Sequence, residues 1–138
     1  MMRKVFFRIS RIATFNYFLK SKKPGHLYIL IFHQVNDDGS IFYPALSTHV
    51  FEEICRFFSK MFNIISFSDI DDYFKKTRGP AAIITFDDGH YDILKNAYPI
   101  LNKLNLKFNI NIDTEPLETG LPQDSVRVYD VLNRTKKR

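Results

Sequence analysis

Two adjacent carboxylates, Asp87 and Asp88, close the run "AAIITFDDG" directly before Gly89. In a low-dielectric cleft such a pair is tolerated only when a cation neutralises it or one member takes up a proton. A divalent metal ion meets that need: one carboxylate binds it while its neighbour stays free to accept a proton from the metal's water. A glycosidase pair fits less well, because its carboxyls flank a sugar from about 5 Å or more apart. The competing reading is a solvated turn in which an Asp caps the following helix. A further titratable group, His33, ends the apolar run "HLYILIFH". It reads either as a participant in the same chemistry or as a structural histidine.

The elements needed to place these groups can be read from hydrophobic spacing. "HLYILIFH" and "AAIITF" are nearly unbroken apolar runs, the pattern of strands buried on both faces. "QVNDDGSIFYPALS" suits a long loop. From Thr48 onward, Phe51, Ile54, Cys55, Phe58 and Phe62 recur at helical spacing, with Glu52 and Glu53 near the positive end of the helix. "NIISF" predicts a short strand, and Ser68 with Asp71 a capping box opening the helix "DIDDYFKK". "YDILKNAYPILNKLN" predicts a helix bent by Pro99, followed by the alternating strand "KFNINI" and a last helix in "DSVRVYDVLNRTKKR". Strands alternating with helices imply an α/β fold with a parallel sheet or barrel. In such folds functional groups gather at the carboxyl ends of strands, where His33, Asp87 and Asp88 stand. Gly89 then supplies the left-handed or otherwise tight turn into the next helix.

At 138 residues and 45% hydrophobic content the chain can bury the core of one domain. Its lone cysteine, Cys55, excludes an internal disulfide and any multi-thiolate metal site, and falls at a core position. The net charge of +5 is uneven. Residues 1 to 23 carry seven Lys or Arg and no acids, residues 134 to 138 carry four more bases, and the stretch between is acidic. No aromatic-interleaved basic patch accompanies those ends, so nucleic acid is not an expected partner. Val5, Ile9, Ile12 and Leu19 share one helical face beside Lys4, Arg8 and Arg11. Residues 1–24 therefore read as a basic amphipathic helix, packed on its own domain or, through residues 1–23, lying on an anionic membrane surface. Arg8 and Arg11 interrupt the apolar stretch a signal peptide needs, which leaves a cytoplasmic or inner-face membrane location as the expectation.

The wider context of the carboxylates resembles a known family. "ITFDDG" followed by the helical "YDILKNAYPILNKLN" is similar to the first motif of the NodB-homology polysaccharide deacetylases, carbohydrate esterase family 4. "ILIFHQV" resembles the L-x-Y-H-x-V strand of the exopolysaccharide-deacetylase branch, and "ALSTHVFEEICRFFSKMFNIISFSDI" its helix, strand and S-x-x-D/E-L/I start. The resemblance covers about Tyr28 to the chain's end. It implies the N-terminal part of a distorted (β/α) barrel over residues 25–138 and hydrolysis of acetyl groups from N-acetylated sugars of a bacterial polysaccharide. It further implies Asp88 as a ligand of a divalent metal, usually zinc, Asp87 as the general base, and His33 as the acid toward the departing amine.

One part of the family pattern is missing. The family's metal site takes two histidines from a downstream His-Ser/Thr-x-x-His motif, whereas the histidines here are His26, His33, His49 and His90, no two of them at i, i+4 spacing. A catalytic zinc wants three protein ligands. With no helix-stop signal before Arg138, the chain reads as an incomplete domain, weakly active or inactive alone. The alternative is a non-catalytic remnant or binding module that pairs with a partner completing the barrel.

Overall fold

A computed structural model describes residues 25–38, 43–76 and 79–135. The expected amphipathic helix over residues 1–24 lies outside them. The elements run β1 (Leu27–Phe32), α1 (Thr48–Met61), β2 (Asn63–Ile64), a 3-10 turn (Phe67–Asp69), α2 (Ile70–Lys76) and β3 (Ala81–Phe86). A π-helical turn (Ile93–Ala97), α3 (Tyr98–Lys103), β4 (Asn109–Ile110), α4 (Thr114–Thr119) and α5 (Asp124–Thr135) follow. No described helix is long and apolar enough to cross a membrane.

The sheet is parallel and centred on β3. On one side β1 pairs with it along its whole length, Leu27 opposite Ala81 through Phe32 opposite Phe86. Its other side is shared: β2 takes Ala81 and Ala82, while β4 takes Thr85 and Phe86 at the carboxyl end. All six β3 residues are buried, as an apolar run without alternation requires. Ala82, Ile84 and Phe86 pack toward Phe51, Cys55 and Phe58 of α1 and toward Ile93, Ala97 and Leu101. Ala81 and Ile83 pack on the opposite side with Ile65, Ile70, Tyr73 and Phe74. Cys55 is fully buried, and desolvation, reinforced by the charge of Glu52, pushes its thiol up to about 12.

Two local expectations are corrected, and a third takes a specific form. β1 is not buried on both faces: Ile29 and Ile31 are 48% and 58% exposed, because the cluster that covers Ala81 and Ile83 on that face reaches only Leu27 of β1. The capping interaction sits two residues earlier than Ser68 and Asp71. Asp69 Oδ2 accepts from the Ser66 backbone N–H at 2.9 Å and from Ser66 Oγ at 2.7 Å, since a 3-10 turn precedes α2. Pro99 acts through the turn before it. Lacking an N–H, it cannot bond the Lys95 carbonyl, and the chain widens into the π-turn in which the Tyr98 N–H reaches the Ile93 carbonyl.

Asp69 also receives Lys107 Nζ at 2.8 Å, tying the start of α2 to the segment before β4. The Lys107 bond, then the Ser66 bonds, hold its carboxyl well below the usual carboxylate range. A depressed folded-state pKa contributes stability above the unfolded-state value that is lost as pH falls through the folded one. The stability gap between wild type and Asp69→Asn should therefore be constant near neutrality and close below about pH 4, where an unperturbed Asp protonates. Urea unfolding at pH 7 and pH 3 measures it; parallel pH profiles would contradict this account.

Candidate active site

The carboxyl end of β3 delivers the two aspartates to different surroundings. Asp87 continues the ladder, its N–H donating to the Phe32 carbonyl at 2.9 Å. Its Oδ1 accepts from Asn111 Nδ2 at 2.7 Å, and Asn111 is in turn fixed by its N–H on the Phe86 carbonyl at 2.7 Å. The half-buried Asp87 carboxylate is thus oriented from the strand-like extension beyond β4, with Oδ2 unpartnered among the described residues.

Asp88 and Gly89 are both left-handed, with φ of 69° and 62°. Glycine adopts that region freely, whereas a non-glycine residue there stores strain, which recurs at functional turns. A Cβ on Gly89 would meet only Ile112, at an ordinary 3.6 Å, so the backbone angle alone sets the cost of substitution. Gly89→Ala should destabilise the fold by about 1 kcal/mol in chemical denaturation, the scale of a left-handed penalty for an L-residue.

The Asp88 carboxylate is loosely held. Gln123 Nε2 lies 3.4 Å from Oδ1 and makes its shorter bond, 2.8 Å, to Asp113. His90 Nε2 is 3.6 Å from Asp88 Oδ2, beyond a hydrogen bond, and is buried without a hydrogen-bonding partner. Gln34 Nε2 lies 3.3 Å from His90 Nδ1. With Gln34 donating, the imidazole carries its proton on Nε2, a tautomer that offers no lone pair toward Asp88.

His33 follows β1 directly, on the same side of the sheet as the aspartates, and is exposed. With Gln34 and Tyr43 it lines a groove of about 510 Å³. It makes no hydrogen bond or ion pair with another described residue, so the structure places it at the same sheet end without joining it to either carboxylate. Tyr43 stacks on Tyr129 at 4.9 Å between ring centroids and lies 6.1 Å from the His90 ring. Burial, then the negative charge of Asp88, raises its phenol above the ordinary value.

Asn111, Gln123, Tyr43 and Tyr129 were not candidates on sequence grounds. Only Asn111 carried a signal, as a polar position in an alternating strand. Among the described residues no three His, Cys, Asp or Glu side chains gather so that they could hold a metal ion. Asp88, with a single histidine beside it, does not complete a zinc centre from these residues.

No protein-family model and no curated protein sequence matches the chain. Solved structures do. A de-N-acetylase from Aggregatibacter actinomycetemcomitans aligns at 24% identity and a TM-score of 0.57, over 67% of this chain and 39% of that one. The Streptococcus pyogenes deacetylase PplD, in complex with acetate, aligns at 19% identity and 0.58, over 78% and 53%. BC0361, a polysaccharide deacetylase from Bacillus cereus, aligns at 18% and 0.51, over 79% and 36%. The chain shares the polysaccharide-deacetylase fold. It spans between about a third and about half of the length of these deacetylase chains.

Proposed function

We propose that this chain forms the first part of a polysaccharide deacetylase domain that removes acetyl groups from N-acetylated sugars of a bacterial polysaccharide. The observation that carries the reading is the pair Asp87 and Asp88 leaving the central strand of a deacetylase-like sheet, one held by Asn111 and the other on a left-handed turn. Asp87 would take a proton from the water that attacks the acetamide carbonyl. Asn111 holds its Oδ1 and leaves Oδ2 for that water. His33, on the rim of the groove, would return a proton to the leaving amine.

Asp88 would supply one ligand of a divalent metal, zinc by resemblance, with the other ligands coming from outside the described residues. That deficit also supports a second reading, a non-catalytic module that keeps the fold without the chemistry. The two are separated by exchanging residues 25–135 for the aligned segment of the S. pyogenes deacetylase and measuring acetate release from an N-acetylated oligosaccharide. Release that depends on Asp87 and Asp88 supports the enzyme; a chimera that folds but releases no acetate supports the module.

A further inference from the structure

Beyond β1 the chain runs as one more short extended segment, and its hydrogen bonds are divided between two sides. On one side it pairs with Leu46: the Leu46 N–H donates to the Gln34 carbonyl at 3.1 Å and the Asn36 N–H to the Leu46 carbonyl at 3.0 Å. The intervening Val35, fully buried, turns its own backbone groups the other way. Its N–H donates to Asp92 Oδ2 at 3.0 Å, and its carbonyl accepts from Asn96 Nδ2 at 2.8 Å. Asp92 Oδ2 also takes Asn36 Nδ2 at 2.9 Å. Two side chains of the helical segment after the Asp87–Asp88 turn thus satisfy both main-chain groups of a residue that, among the described residues, no strand reaches on that side.

The geometry points to Asp92 and Asn96 as positioning residues that clamp the Val35 backbone and so set the His33–Gln34 strand end against the Asp87–Asp88 turn. The importance of His33 rests on the deacetylase reading; the clamp does not. Asp92 lies four residues after Asp88, so the segment that follows the carboxylates also grips the end of the strand carrying His33. Asn96 sits inside the π-turn, and Pro99 just beyond it shapes the same stretch. Asp92 Oδ1 is buried without a partner, so the interaction needs one acceptor oxygen, which an asparagine also has.

The test is NMR of the full chain labelled at its histidine rings and backbone amides. In Asp92→Ala and in Asn96→Ala the Val35 amide should exchange at least about 10-fold faster, the loss expected when a buried hydrogen-bond network opens locally. The His33 ring signal should move, while that of His49, on the solvent side of α1, stays. Asp92→Asn should restore both readouts. Val35 protection at the wild-type level, or faster exchange with an unmoved His33 signal, would overturn the proposal. If Asp92→Ala fails to fold, Asn96→Ala and Asp92→Asn decide it by the same two readouts. Failure of the deacetylase reading would leave these results untouched and show instead as a folded chimera that releases no acetate.

Discussion

Phe86→Ala should lower the unfolding free energy by about 3–5 kcal/mol, the usual cost of emptying a buried aromatic site. The ring is fully buried and lies 5.7 Å from Phe32, 5.8 Å from Phe51 and 6.1 Å edge-on from Phe108, so β1, α1 and the approach to β4 all meet on it. Collapse cannot refill the space, because each neighbour is anchored in a different element. Single domains hold only about 5–15 kcal/mol in total, so a loss of this size removes a large fraction of the stability and should lower the urea midpoint markedly. Phe86→Leu, which keeps most of the volume, should cost less than half as much. Equal losses for the two substitutions in urea unfolding would show that the ring is not the keystone described here. Phe86 also supports the site, since its carbonyl anchors Asn111 and its own residue precedes Asp87.

Asp87→Asn should reduce acetate release about 10²–10⁴-fold in the chimera with the S. pyogenes deacetylase, the range general-base removal produces. Asparagine keeps the Asn111 hydrogen bond through its own oxygen, so folding and substrate affinity should change little and the loss should fall on kcat. The chain alone should release acetate no faster than background, because the described residues do not complete a zinc site. Asp87-dependent release by the chain alone would overturn that second statement while strengthening the enzyme reading.

The parts of this structure that were legible in the sequence are those governed by local spacing. The all-apolar "AAIITF" is the doubly buried central strand, and the Phe51, Cys55, Phe58 stripe of α1 lies on it. Cys55 is buried as its position implied, and Gly89 is left-handed as the tight turn required. Misses arose where the outcome depended on distant neighbours. The run "LYILIF" has the composition of a two-sided strand, but whether another layer packs over each of its faces is not written in its own residues. Asn111 reaches Asp87 across 24 positions and Asp92 reaches Val35 across 57, and no periodicity announces polar contacts of that separation. The left-handed angle of Asp88 was equally hidden, because aspartate adopts it only under the constraint of the turn.

The central claim, that the Asp87–Asp88 turn is part of a divalent-metal site, is tested most directly by titrating the full chain with Mn²⁺ and following paramagnetic broadening of its backbone amides. The amides of Asp87 to His90 should broaden first, recover on chelation with EDTA, and in Asp88→Asn require at least about 10-fold more Mn²⁺, the equivalent of about 1.4 kcal/mol of binding. Broadening of the same amides at the same Mn²⁺ concentration in Asp88→Asn, or broadening that begins elsewhere on the chain, would contradict the account.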